Sequence, residues 1–575
     1  VLIGLTGRLL AAHKGAVLAI VALQLIQTMA TLLLPTLNAA IIDNGIVGGD
    51  VPQIVNLGSW MAVTAGVQVV AAVAAGYLGA VVAMELGRTL REELFATVQS
   101  MSSQEVNAFG AASLVTRVTN DVTQVQNLVV LVFTMLVAAP AIFVGGIALA
   151  VHQDVVLSGI VIAVVPVLAV IMVLIVRRLI PLYRQGQELI DRISRVLREQ
   201  IIGASVIRGF GRQGHEERRF DGANKELTDN NLRSALLVAG MMPMIMLVVN
   251  LSSVGVVWFG GHRIQSGDMR LGALTAFIAY ILQILIAIMM AMYVFMTAPR
   301  AAACAERIQA VLDTTPAVTD GPGVGGPGGN AVEYRNVSFA YPGAEQPVLD
   351  GVTFTAAPGT VTAIIGATGT GKSTLLNLLP RFLDASGGAV SIGGCDVRSL
   401  SLPALRSLVA VVPQHSYLFS GTIAGNLRMA APAATDADLW RVLGSAQAEE
   451  FVRKSPQGLR APVSQGGTNF SGGQRQRLCI ARALLREADV YLFDDSFSAL
   501  DYGTDYRLRE ALRSLLRTAT VLVVAERVAT IMDADLILVL EDGRVVAQGT
   551  HRQLMTSSPS YQEIAASQLV LEETP

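Results

Sequence analysis

At 575 residues the chain is too long for one domain and suits two or three. Hydrophobic residues make up 52 % and charged residues only 15 %, which is apolar for a soluble protein, and a net charge of −2 gives nucleic acid no electrostatic handle. Cys304, Cys395 and Cys479 are far apart and lack metal-ligand spacing, so free thiols in a reducing cytosol are expected rather than a disulfide framework. The chain begins with Val rather than Met, so a trimmed start is expected and no targeting segment is read there.

The apolar residues are unevenly placed, with long charge-free runs up to about Arg300 and charges returning afterwards. Six stretches lack any Asp, Glu, Lys or Arg: Gly15 to Ile42, Val51 to Met84, Val122 to Gln153, Val155 to Val176, Ser234 to Gly261 and Leu271 to Pro299. Each exceeds the ~20 residues that cross a bilayer, so a membrane domain precedes a soluble one. Only His152, Gln153 and Asp154 separate the third span from the fourth, which predicts a tight hairpin.

Basic residues orient the spans. The connection between spans two and three holds Arg88, Arg91 and Arg117, and that between four and five holds a dense series from Arg177 to Arg233. The opposite connections are short and carry Asp43, Asp50 and Asp154, with Arg263 and Arg270 beside Asp268 as a minor exception. The positive-inside rule then puts both termini and both long connections in the cytoplasm.

Those long connections look helical. Ile190, Ile193, Val196, Leu197, Ile201 and Ile202 recur at three- and four-residue spacing among charges. Glycine breaks them at Phe109-Gly110 and at Gly209-Phe210-Gly211, tips that either dock on the soluble domain or are plain loops. Gln24, Gln27, Gln68, Tyr77, Asn250, Gln283 and Tyr293 are candidates for a cavity lining. Met241, Met242, Met244, Met246, Met289, Met290, Met292 and Met296 suit either an adaptable apolar ligand surface or simple packing. No span carries a charge near its middle, which argues against an ion pathway.

Residues 313–330, rich in Gly, Pro and Thr, read as a flexible linker between a membrane domain over 1–312 and a soluble domain over 331–575. A strand follows from Tyr334 to Tyr341, whose last aromatic can stack on an adenine ring. Val361 to Ile365 is a buried strand, and Gly366-Ala367-Thr368-Gly369-Thr370-Gly371-Lys372-Ser373-Thr374 leads from it into an apolar helix from Leu375. Strand, glycine-rich turn and helix together are what a phosphate-binding loop requires. Backbone N–H groups curl round a di- or triphosphate, Lys372 supplies a point charge, and Ser373 offers its hydroxyl to Mg²⁺. Val409 to Val412 is a strand leading to Gln414. Phe470-Ser471-Gly472-Gly473-Gln474 opens a helix from Arg475 and makes a second anion cradle. Val490 to Asp494 ends a buried strand on a carboxylate able to hold Mg²⁺, and Asp501 follows at a turn.

In this order the motifs resemble the ATP-binding cassette (ABC) family, and with six spans the whole chain resembles an exporter-type half-transporter. The resemblance implies an all-α six-helix transmembrane domain followed by an α/β P-loop cassette, with ATP and Mg²⁺ as cofactors. It implies two paired halves, each ATP held by one cassette's phosphate loop (Gly366, Gly369, Thr370, Gly371, Lys372, Ser373, Thr374) and the other's signature (Ser471 to Gln474). Tyr341 would stack on adenine, Gln414 would sense Mg²⁺, Asp501 would communicate across the dimer, and turns near Phe109 and Phe210 would couple to the spans.

Two departures refine the reading. The family's water-orienting glutamate is Asp495 here, shorter by one methylene or roughly 1.5 Å. Misplacement of that order costs ~10²-fold in rate. The family's histidine facing the γ-phosphate is Glu526, which as a carboxylate donates no hydrogen bond and repels phosphate. The pattern resembles the degenerate-site half of a heterodimer that exports amphipathic, drug-like or lipid-like substrates across the cytoplasmic membrane. A homodimer, lipid or small-molecule uptake by the same architecture, and a nucleotide-gated regulatory subunit are the alternatives.

Overall fold

Long charge-free sequence becomes long helix. The computed structural model describes residues 1–323 and 326–572, and the chain divides into two units. One comprises Val1–Thr97 with Val115–Asp313, and the other Val98–Leu114 with the chain from Thr314 on.

Among the described residues, the helices long and apolar enough to cross a membrane are α1 (Leu2–Ile46), α2 (Val51–Ser100), α3 (Ala111–Gln153), α4 (Val155–Ile202), α5 (Gln213–Gln265) and α6 (Leu271–Leu312). The chain is therefore a multi-pass membrane protein. At 50, 48 and 53 residues, α2, α4 and α5 would each run on the order of 70–80 Å, against a hydrocarbon core of about 30 Å. The charged connections of the sequence are thus continuations of the spans.

Polar contacts fix how these helices meet. Asp154 caps α4 by accepting from the Leu157 N–H at 2.8 Å, and its other oxygen accepts from Arg263 Nε at 3.1 Å. That pair accounts for Arg263, the exception to the charge rule: its charge is matched by the aspartate of the α3–α4 hairpin. Asp43 accepts from the Gly272 N–H at 2.6 Å. A side chain at Gly272 would meet the Ala39 carbonyl at 2.2 Å, so α1 and α6 touch through backbone there. Deeper along the same pair, Tyr280 and Thr36 share a 2.7 Å hydrogen bond, and Gln283 donates to the Thr31 carbonyl at 3.0 Å.

At the first connection, Ser102 and Glu105 form a capping box, a short helix runs over Ser103–Phe109, and Gly110 turns at φ +77°. This tip belongs to the second unit: Ser103 Oγ lies 3.4 Å from the Phe382 carbonyl, and Glu105 accepts from the Ala317 N–H at 3.2 Å. The second connection breaks twice, at Gly203 and again at Phe210 and Gly211, where φ is +62°. Phe210 is exposed.

The stretch read as a flexible linker is held down where it is described. Val318 is buried, Asp320 accepts from the Leu402 N–H at 2.6 Å, and Gly321 lies so close to the Leu400 carbonyl that no Cβ fits. At Gly321, glycine serves close approach. Val324 and Gly325 lie outside the described residues.

The second unit carries β1 (Val332–Phe339), β2 (Leu349–Ala356), β3 (Val361–Ile365), α7 (Lys372–Leu378), β4 (Gly387–Ile392), β5 (Cys395–Asp396) and β6 (Val409–Val412). After a helical segment come α8 (Gly472–Leu484), β7 (Val490–Asp494), α9 (Tyr502–Leu515), β8 (Thr520–Val524), β9 (Leu536–Glu541) and β10 (Arg544–Gly549). An antiparallel sheet has the order β2-β1-β4-β5; the main sheet runs β10-β9-β3-β8-β7-β6, parallel except at β10. Its parallel strands are mainly apolar because both faces are covered, whereas the edge strand β10 is half exposed. Ala363, Ile365, Tyr491 and Phe493 enter one core, while Ile364, Leu492, Leu522 and Val524 enter the other. Tyr341 falls beyond β1, not within it, and α7 starts three residues earlier than expected, directly on Lys372.

One ion pair in the membrane unit was invisible in the sequence. Asp121 is fully buried and accepts two hydrogen bonds from Arg307, at 2.7 and 2.6 Å. Arg307→Ala should strand that carboxylate at a cost of about 3 kcal/mol. Arg192→Ala, which removes an exposed pair with Glu226, should cost under about 1 kcal/mol. Thermal unfolding of the two variants in the same detergent checks the ordering; equal shifts would refute it.

Candidate nucleotide site

The site is built where parallel strands end. β3 pairs in register with β8, Ile364 opposite Val524, and β8 pairs with β7, Val524 opposite Asp494. The loop after β3 and the residues after β7 and β8 therefore emerge side by side at the carboxyl edge of the sheet, where open α/β folds bind ligands.

The loop after β3 is shaped by glycine. Gly369 and Gly371 adopt φ of +88° and +94°, which other residues resist. A side chain at Gly366 would collide with the Leu540 carbonyl at 2.1 Å. Thr370 Oγ1 donates back to the Ala367 carbonyl at 2.9 Å, closing the turn. Lys372 is buried, and its Nζ donates to the carbonyls of Gly366 and Ala367 at 2.8 and 2.7 Å. Burial pulls its ammonium below the usual lysine range, and Glu526, Asp495 and Asp494 pull the other way. Tyr341 stands beside the loop, exposed, with its hydroxyl 3.3 Å from Thr374 Oγ1 and its ring edge-on to Phe339.

Ser373 donates to Asp494 at 2.9 Å, so the hydroxyl and carboxylate expected to hold Mg²⁺ already face each other. Hard oxygen donors so placed suit Mg²⁺, which keeps most of its other ligands as water and phosphate. Burial pushes the Asp494 carboxyl up; Ser373, Lys372 and His415 draw it back. His415 was not singled out in the sequence, and only its place beside Asp494 reveals it. Gln414, its neighbour, is exposed just past the end of β6.

Asp495 takes a left-handed backbone, φ +45°, fixed by its N–H to the Val524 carbonyl at 3.0 Å. Burial pushes its carboxyl up, with Glu526 and Asp494 adding repulsion against the pull of Ser498 and Lys372. Glu526 is exposed just past β8. Its carbonyl accepts from Gln568 Nε2 at 2.7 Å, and Gln568 Oε1 accepts from the Val528 N–H at 2.7 Å. This clamp from the C-terminal helix was also unread, since a lone glutamine carries no motif. Three carboxylates thus surround one buried ammonium.

Ser471 to Gln474 form a second cluster, without a hydrogen bond to the phosphate loop among the described residues. Ser471 Oγ accepts from the Gln474 N–H at 3.3 Å and Gln474 Oε1 accepts from the Ser471 N–H at 3.0 Å. This capping box starts α8 at Gly472, three residues before the predicted Arg475. A side chain at Gly473 would press on the Ala499 carbonyl at 3.0 Å, and Gly472 faces the same residue. Asp501 caps α9 by accepting from the Thr504 N–H at 3.0 Å; that bond, with Arg477 nearby, holds its carboxyl low.

Comparison with known proteins bears on this arrangement. The family described as "ABC transporter transmembrane region" matches residues 17–289, and that described as "ABC transporter" matches residues 349–498. An uncharacterized ABC transporter ATP-binding protein of Mycobacterium tuberculosis is 44 % identical, covering 97 % of this chain and 96 % of the relative. One from Bacillus subtilis is 34 % identical over 95 % of each chain, and the ATP-dependent lipid A-core flippase of Pseudomonas fluorescens (strain Pf-5) is 33 % identical over 85 % of this chain and 81 % of its own. The solved structure of a bacterial Atm1-family ABC exporter with ATP bound shares the fold at a TM-score of 0.80, with 24 % identity, over 97 % of this chain and 99 % of that one. A transmembrane region, an ATP-binding domain behind it and relatives matched nearly end to end place this chain in the ABC transporter family, as an exporter-type half-transporter that binds ATP and couples its hydrolysis to translocation.

Proposed function

We propose that this chain is the degenerate-site half of a heterodimeric exporter, moving an amphipathic, lipid-like substrate out across the cytoplasmic membrane, with both termini and the cassette inside. The observation that carries the reading is the set of three carboxylates, Asp494, Asp495 and Glu526, around Lys372, beside a signature helix whose capping box is intact. Lipid A-core flippases among the relatives support the substrate class.

In this reading the loop from Gly366 to Thr374 cradles the phosphates, Lys372 leaves its loop carbonyls for a phosphate oxygen, and Tyr341 stacks on the base. Ser373 and Asp494, with Gln414, would hold Mg²⁺, which would supply positive charge against the phosphates. Asp495 is too short to orient water well. Glu526 sets negative charge where a donor is needed, which slows hydrolysis here. Ser471, Gly472, Gly473 and Gln474 then complete the working site on a partner chain's phosphate loop, and Asp501 borders that contact.

Restoring the family's residues tests the weak-site assignment. Asp495→Glu with Glu526→His should raise ATP turnover of the purified pair, by up to ~10²-fold at this site. A large rise from Asp495→Asn alone would contradict it.

Location of the working site sets a second expectation. Ser471→Arg should nearly abolish turnover, since one oriented donor on a transferring phosphoryl group is worth roughly 10²–10³-fold. Lys372→Ala in the same chain should do less. Ser471→Arg also removes a cap worth about 1 kcal/mol, so the melting temperature is measured alongside. Greater harm from Lys372→Ala at saturating ATP would sink the heterodimer in favour of a homodimer.

Asp494 gives a pH dependence. Its raised carboxyl costs folding stability once it ionises, as pH rises through its folded value, and Mg²⁺ offsets that cost by pairing the charge. The thermal stabilisation given by Mg²⁺ with nucleotide should therefore fall away on acidification at a pH above the ordinary aspartate value of about 3.9. Melting curves with Mg²⁺ or EDTA across the acid range check this; a gain independent of pH would refute it.

A further inference from the structure

β8 ends at Val524, and the Ala525 N–H makes the last tie to β3, donating to the Ile364 carbonyl at 3.2 Å. A one-turn helix follows at Val528–Ile531, and Arg527 before it supplies no side-chain cap. Glu526 and Arg527 are therefore a two-residue bridge from the sheet to a helix end whose first N–H lacks a partner within the helix.

Gln568 holds both ends of that bridge. Its Nε2 donates to the Glu526 carbonyl at 2.7 Å, and its Oε1 accepts from the Val528 N–H at 2.7 Å. A side-chain amide carries a donor and an acceptor side by side, and only one orientation of it satisfies both contacts. The helix that carries Gln568, Pro559–Glu572, is itself anchored. Tyr561 is fully buried, its hydroxyl 2.7 Å from His551 Nδ1, and Tyr561 and Ala565 share one core with Val528 and Ile531. From α9, Arg509 Nη1 donates to the carbonyls of Ala529 and Thr530 at 3.3 and 3.2 Å.

Among the described residues the Glu526 carboxylate has no hydrogen bond or ion pair of its own, so its backbone decides where it stands. From there it draws the Lys372 ammonium up and pushes the Asp495 carboxyl up. A terminal phosphate arriving at Lys372 meets that charge held in place. A carboxylate free to swing into water would oppose the phosphate less, because solvent would screen it.

We propose that Gln568 is a positioning residue of the nucleotide site: by clamping the backbone on both sides of Arg527 it keeps the Glu526 carboxylate toward Lys372, and so lowers the preference of this site for ATP over ADP. The proposal deepens the reading of Glu526 given above and rests on it.

The test uses the full chain with its co-purifying partner, on ice with Mg²⁺. 8-Azido-ATP is photolysed, and its label is followed on the peptide holding Tyr341, which confines the readout to this chain's own site. ATP or ADP is then added to find the concentration of each that halves the label. Gln568→Met keeps the length of the side chain and removes both hydrogen bonds. It should shift the ratio of those concentrations about fivefold in favour of ATP, as partial release of one charge predicts. Glu526→Gln should shift the ratio the same way and at least as far, and adding Gln568→Met to it should shift it no further. A clamp that served only to stabilise the cassette would alter competition by ATP and ADP alike and leave the ratio unmoved. A ratio moved by Glu526→Gln and not by Gln568→Met would overturn the positioning role alone. A ratio moved by neither would overturn it together with the reading of Glu526, and full additivity in the double variant would show that Gln568 does not act through Glu526.

Discussion

Parallel pairing of β3 with β8, and of β8 with β7, is the constraint on which the chemistry of this chain depends. Strands that run the same way end at the same edge, so residues more than a hundred positions apart in sequence arrive together there. The pairing is possible only because both faces are buried, which demands uninterrupted apolar strands and gives the runs Val361–Ile365, Val490–Phe493 and Thr520–Val524 their character. A polar substitution on either face would disturb the sheet and, through its register, the spacing of Lys372, Asp494, Asp495 and Glu526.

Much of this was legible in the sequence because the signals are local. The phosphate loop needs glycine at fixed offsets, and Gly369 and Gly371 indeed hold backbone angles that only glycine takes easily. The spans need only length and absence of charge, and all six appear. What the sequence concealed depends on contacts between distant segments. Asp121 and Arg307 are separated by 186 positions and carry no spacing signature, so their pairing emerges only when α3 and α6 lie together. Gln568 at Glu526 and His415 at Asp494 were hidden for the same reason. The boundary errors have local causes: the capping box at Ser471 and Gln474 draws α8 forward to Gly472, and within the glycine-rich stretch Gly321 passes so close to Leu400 that a side chain would not fit.

The two halves use charge in opposite ways. In the cassette, like charges are concentrated round one lysine, and burial raises the proton affinity of Asp494 and Asp495. In the membrane unit, the buried carboxylates near the helix ends are each held by one arginine, Asp154 by Arg263 and Asp121 by Arg307. The first arrangement is responsive, since protons, metal or phosphate all alter it. The second is fixed, since breaking a matched pair gains nothing.

The backbone contact of Gly272 with Ala39, closed over by Asp43, has a mechanical consequence. With Tyr280 on Thr36 and Gln283 on Thr31 it joins α1 to α6 by three rungs along their length. Sliding one helix past the other by a turn would break all three, and a glycine–carbonyl seam tolerates no wider side chain as a bearing. These two helices must travel as a single beam. Any rearrangement of the membrane unit then has to hinge at looser joints, such as the interrupted turn between α4 and α5, where Gly203 and Gly211 punctuate the chain.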